Sequence, residues 1–154
     1  MTEFAPIARS IDSAGQKASG IATCARFMLE EILDVAAPDQ TAAFLHSVGG
    51  RIAAAHPVGA GGSNDEIFEA INAAWAEAGL GVTRITFAPD GLHIDHGGLP
   101  AAPFGMEAKR WRVSLIAVLE GAYAAWFATL GAAADFRMHV VQITADGAEF
   151  RYGP

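Results

Sequence analysis

The stretch His93-Ile94-Asp95-His96 brings two histidines and a carboxylate close together in the chain. Imidazole and carboxylate groups are the types that ligate zinc or act in acid–base catalysis. In a β-strand, however, His93 and Asp95 share one face while His96 lies on the other. The spacing therefore favours polar residues near the end of a hairpin over a metal or catalytic centre.

The other three histidines do not complete a site. His46 and His56 are ten residues apart on one predicted helix, so they are not expected to pair. His139 follows Met138 in a predicted strand, where a structural role is favoured over that of a general base.

Nucleotide-binding and nucleophile motifs are also missing from the sequence. The glycine-rich "GAGGSN" lacks the Gly-Lys-Ser/Thr ending of a phosphate-binding loop, and no strand precedes it. There is no Gly-x-Ser-x-Gly elbow and no facing pair of carboxylates. Cys24 is the one cysteine, which excludes an internal disulfide and predicts a small buried filler in an apolar helical pattern. The sequence thus predicts no catalytic, metal or cofactor site and favours a non-enzymatic role.

Three helices are predicted before the first strand. The first, Ile21–Val35, has an apolar stripe opposite acidic residues, and the second lies within residues 37–57. The third begins at a capping box formed by Ser63 and Glu66 and ends at Gly79. A short N-terminal segment is a candidate fourth helix, so three to four N-terminal helices are expected.

Two β-hairpins and a long helix follow. The first hairpin turns at Pro89-Asp90-Gly91, the long helix runs from about Glu107 to Leu130, and the second hairpin turns at Ala145-Asp146-Gly147. Helices in series with adjacent hairpins indicate an α+β fold, with helices on one face of a small antiparallel sheet. We expect a single domain over residues 1–154.

Charge and composition narrow the possible partners. The chain is 52% hydrophobic and 18% charged, with a net charge of −7 from 17 acidic and 10 basic residues. That balance argues against disorder and against a nucleic-acid interface, which would need a basic stripe. The N-terminus shows no Sec-type signal peptide, which favours the cytoplasm.

One segment has to be weighed as a membrane span. Val113–Ala134 carries a single charge, Glu120, and follows the basic "KRWR". A carboxylate in mid-span costs about 3 kcal/mol on insertion scales, and alanine and glycine make the segment weakly hydrophobic. We therefore expect a buried helix of a protein without a membrane span.

The long helix has two contrasting faces. Its large side chains share one sector, which is expected to pack on the core: Leu115, Leu119, Tyr123, Trp126 and Leu130, flanked by Ile116 and Phe127. A row of small residues lies opposite: Ala117, Gly121, Ala124 and Ala128. Mid-helix glycine costs about 1 kcal/mol against alanine, so Gly121 indicates a close backbone approach.

We expect the small-residue row to be covered by another copy of the chain rather than by another part of the same chain. Gly121→Leu is accordingly expected to break assembly and to leave secondary structure intact. Glu120, at the flank, is expected to pair with an arginine such as Arg112 or with one across an interface.

The long helix resembles that of the D subunit of bacterial cellulose synthase operons. That family has a Val-Leu-Glu-Gly-x-Tyr-x-x-Trp core followed by an Asp-aromatic step, Asp135-Phe136 here. The core is matched by Val118, Leu119, Glu120, Gly121, Tyr123 and Trp126. A weaker likeness extends over residues 44–142 and includes His96, Leu99 and Pro100. Ala117, where the family often has proline, and Ala122, where it has a bulky residue, depart from the pattern.

The resemblance implies a non-catalytic accessory subunit without cofactors. Family members form dimers that assemble into a cylindrical octamer, whose passages are proposed to take nascent β-1,4-glucan chains for ordered, crystalline export. Implied partners are further copies of the chain, other cellulose synthase operon proteins and β-1,4-glucan, for which no contact residues can be assigned. The periplasm has been argued for the family and is the alternative location.

Two other functions fit parts of the pattern. An acidic secretion chaperone would share the small α+β fold and the dimerisation helix, but would stop at a dimer. An enzyme with scattered polar residues would need a deep pocket with convergent histidine and aspartate.

Overall fold

The computed structural model describes residues 13–154, with side chains from residue 20 onward. Residues 1–12 of the N-terminal segment, a candidate fourth helix, lie outside the described residues, and residues 13–20 belong to the first helix described below. The chain divides into two compact units, which are described separately: the first ends at Ala36 and the second spans Ala37–Pro154. The single domain over the whole chain stays a prediction.

Within the described residues, four helices and four strands follow the predicted order. They are α1 (Ser13–Val35), α2 (Pro38–Ala55), α3 (Asn64–Ala78), β1 (Val82–Ala88), β2 (Gly91–Gly97), α4 (Ala108–Thr129), β3 (Arg137–Ile143) and β4 (Ala148–Gly153). The α+β class is confirmed, and α4 lies within one residue of its predicted start and end.

Helix α1 exposes the apolar stripe that its periodicity predicts. Ile21, Phe27, Met28 and Val35 are exposed, and so is Cys24. The expectation that Cys24 is a buried filler is therefore wrong. Helical periodicity identifies which residues share a face, but it carries no information about what covers that face.

Local sequence signals set the ends of α3. The Ser63 hydroxyl accepts a hydrogen bond from the Glu66 N–H at 3.3 Å, and the Ser63 N–H donates to the Glu66 carboxylate at 2.7 Å. This is the predicted capping box, which satisfies two backbone donors that the helix leaves unpaired. At the other end Gly79 adopts φ 67°, the left-handed conformation that ends helices and favours glycine.

The two hairpins join into one antiparallel sheet of order β1-β2-β4-β3. The central pair, β2 and β4, places Ile94 opposite Phe150 and His93 opposite Arg151. Ile94 and Phe150 are buried, whereas His93 is exposed and Arg151 is partly exposed. One face of the sheet is therefore covered and the other is polar, as the alternation along each strand predicts.

The core lies between the covered face of the sheet and the helices α2, α3 and α4. Its largest fully buried side chains are Trp75, Trp126, Tyr123, Phe150, Ile71, Ile94, Leu119 and His96. The large-residue face of α4 supplies three of them, so its predicted use as a core face is confirmed.

Candidate functional site on the long helix

The Val-Leu-Glu-Gly-x-Tyr-x-x-Trp core of α4 is mostly a packing motif. Leu119 and Tyr123 are fully buried, and Val118 is 5% exposed. Trp126 is also buried, and its indole N–H donates to the His56 carbonyl at 2.9 Å. That bond ties the end of α2 to the middle of the core.

A buried polar chain links three elements around Tyr123. The Nε2 atom of His96 lies 2.8 Å from the Leu80 carbonyl, which can only accept, so Nε2 carries the proton. The Nδ1 atom of His96 then accepts from the Tyr123 hydroxyl at 2.7 Å. The same hydroxyl oxygen accepts from the Trp75 indole N–H at 3.1 Å. The chain is complete only when His96 is neutral.

Burial is the dominant electrostatic effect in this chain of hydrogen bonds. It lowers the pKa of His96 below its usual value, against the opposing effects of the Leu80 carbonyl and Asp95. Burial also raises the pKa of Tyr123 well above its usual value. A neutral imidazole and a neutral phenol are therefore the stable forms, which suits a structural network.

Sequence reasoning did not identify this network. It placed His96 opposite His93 and Asp95, but not among the core residues. The sequence did contain a signal, since His96 shares its strand face with the apolar Ile94. In the structure both side chains are only 1% exposed. The partners Trp75 and Tyr123 are distant in sequence, so only the fold brings them to His96.

The glycine of α4 packs within the chain. A Cβ at Gly121 would collide with the backbone carbonyl of His46 on α2, and a Cβ at Gly49 of α2 would collide with the Val118 carbonyl. The two glycines let the helix backbones approach closely. Gly121 is buried by α2, which corrects its expected place in an interface between copies. The close approach itself was predicted.

The remaining members of the small-residue row stay accessible. Ala117 and Ala124 are partly exposed and Ala128 is exposed, and Val113 extends the same stripe at 50% exposure. Their role as a subunit interface stays a prediction. We call this stripe of Val113, Ala117, Glu120, Ala124 and Ala128 the open flank of α4.

The C-terminal half of the open flank lines a groove of about 420 Å³. The other lining residues come from α2, from the chain that leads into β3, and from the sheet: His46, Ala132, Ala133, Ala134, Phe136, Arg137, Met138 and Tyr152. The groove combines an apolar floor with one carboxylate, Glu120, and one guanidinium, Arg137.

Glu120 has no ionic partner within residues 20–154. Its expected pairing with Arg112 does not occur: Arg112 lines a different cavity beside Pro100 and Trp111. Burial raises the pKa of Glu120 above its usual value. Glu120 is thus a partly desolvated carboxylate without a salt bridge, an arrangement that costs free energy in the isolated chain.

The remaining polar candidates have local roles. His93 lies 3.0 Å from Asp90 in the turn of the first hairpin, and this hydrogen bond is the main cause that lowers the pKa of Asp90. His56 lies 3.5 Å from Glu77. Within residues 20–154 no three histidine, cysteine or acidic side chains lie together as a metal site would require.

A second groove, of about 590 Å³, lies where α3 begins and α4 ends. Five aromatic rings line it: Phe68, Phe87, Phe127, Phe136 and Tyr152. Its rings pack on one another, as Phe127 and Tyr152 do at 4.9 Å, so its walls are continuous with the core.

Among the helices of the described residues, none has the length and apolar character that a membrane crossing requires. This includes α4, which contains most of the weakly hydrophobic segment Val113–Ala134. The large side chains of that segment pack in the core instead.

The family assignment rests on nearly the whole chain. Among curated proteins no sequence matches this one significantly. The model of the family of cellulose synthase D subunits matches residues 10–153. This match confirms the resemblance at the Val118–Trp126 core and extends it over the N-terminal helices, so the chain belongs to the cellulose synthase D-subunit family.

Proposed function

We propose that this protein is a non-catalytic accessory subunit of bacterial cellulose biosynthesis that acts as a homo-oligomeric scaffold. Its copies form dimers that assemble into an octamer, which organises synthase complexes or guides nascent β-1,4-glucan chains for ordered export. The observation that carries the proposal is the open flank of α4, where Glu120 lies without a salt bridge beside accessible alanines.

The physical argument starts from the cost of that arrangement. A carboxylate that has lost part of its water without gaining a partner favours any contact that supplies a cation. The groove that holds Glu120 also holds Arg137. Two copies related by a two-fold axis present the same pair of opposite charges to each other, so the surface is complementary to itself.

The small side chains of the open flank also suit a contact between copies. Alanine at 117, 124 and 128 lets another backbone approach α4 closely, as the glycines already let α2 approach on the adjacent face. Exposed apolar side chains on α1, which include Ile21 at 72% and Met28 at 68%, add apolar surface for assembly. The cytoplasm, expected from the sequence, is the compartment proposed.

Light scattering on the purified chain tests the proposal most directly. We expect a mass well above that of the 16.0 kDa monomer, reaching eight copies. A particle that stops at two copies would favour the secretion chaperone, and a monomer at high concentration would contradict both functions.

A paired variant connects the mass to the open flank. Ala128→Glu places a second carboxylate in the groove that holds Glu120 and should lower the oligomer mass while leaving the melting temperature nearly unchanged. Ala76→Glu, on the exposed side of α3, is the matched control and should keep the wild-type mass. Equal oligomer masses for both variants would show that the open flank is not part of the interface between copies.

The biological role needs a cellulose-producing strain. Deletion of the gene should reduce the order or yield of the fibres, and Ala128→Glu should complement the deletion less well than Ala76→Glu. Wild-type cellulose from the deletion strain would contradict the role. Fractionation of a tagged chain distinguishes cytoplasm from periplasm.

A further inference from the structure

The two outer strands of the sheet, β1 and β3, differ in whether side chains of the protein bond to their outward-facing backbone groups. At the β1 edge, the Asn72 side chain on α3 donates to the Thr83 carbonyl at 2.9 Å and accepts from the Thr83 N–H at 2.8 Å. One amide thus makes both hydrogen bonds that a neighbouring strand would make. The β1 edge is therefore closed at Thr83 by the chain itself.

The β3 edge has no such cover. In the part of the chain that the structure describes with side chains, no side chain bonds to the backbone of residues 138–143. Three aliphatic side chains of β3 are exposed: Val140 at 38%, Val141 at 60% and Ile143 at 49%. Arg137–Ile143 lacks proline, lysine and acidic residues; of the usual protections of an edge strand it has one arginine, Arg137, and a β-bulge between Val140 and Gln142.

We propose that β3 pairs edge to edge, antiparallel, with β3 of a second copy, so that the two four-stranded sheets become one sheet of eight strands. This pairing rests on the homo-oligomer proposed above and assigns its two-fold contact. Backbone groups of β3 that now face solvent would form the ladder, with the exposed valines packed across the junction.

The charges of β3 do not oppose pairing with a second copy. A two-fold axis near His139 and Val140 puts the two Arg137 residues about 13–20 Å apart at strand spacing. That exceeds the Debye length of about 8 Å at physiological salt, so the two cations do not oppose the contact. Pairing of β3 with another copy's β1 would have to displace the Asn72 amide from Thr83, so the two-fold contact of β3 with β3, which closes as a dimer, is favoured over a head-to-tail chain.

The edge is also continuous with the groove that holds Glu120. Arg137 and Met138 belong to β3 and line that groove together with Ala124 and Ala128 of α4. Strand pairing would bring two copies of the groove towards the same axis. The edge alone is shorter than a stable dimer needs, since specific interfaces bury about 1,200–2,000 Å² in total. The open flank supplies additional area.

Two valines of equal exposure on opposite edges provide the test. Val141→Lys on β3 and Val82→Lys on β1 replace side chains that are 60% and 59% exposed. We expect Val141→Lys to raise the dimer dissociation constant at least about tenfold through like charges near the axis. Val82→Lys should leave that constant unchanged, and both variants should keep the wild-type circular dichroism spectrum.

Cysteine pairs locate the axis. Single cysteines are introduced in turn at positions 139, 140, 141 and 142 in a Cys24→Ser background and then oxidised. We expect the yield of disulfide-linked dimer to be clearly highest for one of these four positions, the one that lies at the axis. Directly opposed residues have Cβ atoms about 4.5–5.5 Å apart, close enough for a bond. Val82→Cys in the same background should remain unlinked.

The outcomes separate the two proposals. A wild-type chain that is monomeric at every concentration overturns the homo-oligomer and the strand pairing together. A wild-type oligomer that Val141→Lys leaves intact overturns the strand pairing alone. If Val141→Lys keeps its mass but loses binding to another synthase subunit, the partner of β3 is a strand of that other protein and the pairing of copies is overturned.

Discussion

The small-residue row of α4 is used in two ways within one helix. At Gly121 the row meets the backbone of α2 so closely that even a methyl group has no room. Two turns later, at Ala128, the row lines an open groove. Small side chains thus permit close approach of a neighbouring backbone without specifying which backbone it is. At Gly121 the partner is the same chain, whereas at Ala128 we infer another copy.

The largest effect should follow from closing the space at Gly121. Gly121→Leu forces α2 away from α4, because the new side chain must displace the His46 backbone. We expect a loss of about 3 kcal/mol or more in the free energy of unfolding, at the upper end of overpacking costs. Urea denaturation followed by circular dichroism measures it, and an insoluble variant would show the same effect in stronger form.

Gly50→Ala is the matched control for that change, since a Cβ at Gly50 meets nothing within 4 Å. It should leave stability unchanged or raise it by up to about 1 kcal/mol through helix propensity. A stable Gly121→Leu protein with a reduced oligomer mass would restore Gly121 to an interface between copies.

The next effect lies on the core face of α4. Tyr123→Phe removes the hydroxyl between His96 and Trp75 and leaves a buried acceptor and a buried donor without partners. We expect the free energy of unfolding to fall by about 2–3 kcal/mol, since each unsatisfied buried polar group costs about 1–3 kcal/mol. Tyr152→Phe, also in the core but without a hydroxyl hydrogen bond to described residues, should cost far less in the same denaturation assay.

The same network makes stability depend on pH. Burial lowers the pKa of His96 below 6.5, so the unfolded chain takes up the proton first as the pH falls. The stabilising contribution is complete above about pH 6.5 and is lost as the pH falls through the folded-state pKa, with a slope of at most about 1.4 kcal/mol per pH unit.

Denaturation of His96→Gln and His139→Gln between pH 7.5 and 5 checks this expectation. The loss of stability on acidification should be smaller in His96→Gln than in wild type, and unchanged in His139→Gln, whose histidine is exposed. An identical acid-induced loss in all three proteins would show that His96 does not carry the effect.

The smallest effect belongs to the open flank. Burial raises the pKa of Glu120 above 4.5, so its ionised form is disfavoured in the folded chain at neutral pH. Under conditions in which the chain is monomeric, Glu120→Gln should stabilise it by less than about 1 kcal/mol after solvent screening. The gain should shrink as the pH falls through the raised pKa of Glu120 and vanish below about pH 4.5, where the carboxyl is protonated in both the folded and the unfolded chain.

Glu69→Gln, at an exposed position on α3, should change stability little at either pH. A loss of monomer stability in Glu120→Gln at neutral pH would mean that the carboxylate is stabilised within the chain. That result would weaken the contrast between the two ends of the small-residue row.

Local signals were enough to predict the elements of this fold. The capping box at Ser63, the left-handed Gly79 and the turn at Asp90 act over a few residues, so their geometry is present in the sequence itself. The two faces of α4 follow from helical periodicity for the same reason. The family core at residues 118–126 was likewise visible in residue order and spacing.

Which surfaces meet depends on tertiary contacts that local sequence patterns do not encode. The partner of Gly121 lies on α2, the partners of His96 lie on α4 and just after α3, and Cys24 is exposed although its helical pattern is apolar. Periodicity determines which residues share a face, but the cover of a face depends on elements that are distant in the chain. Asn72 at the β1 edge is another example, because its side chain can bond to the Thr83 backbone only once α3 lies beside that strand.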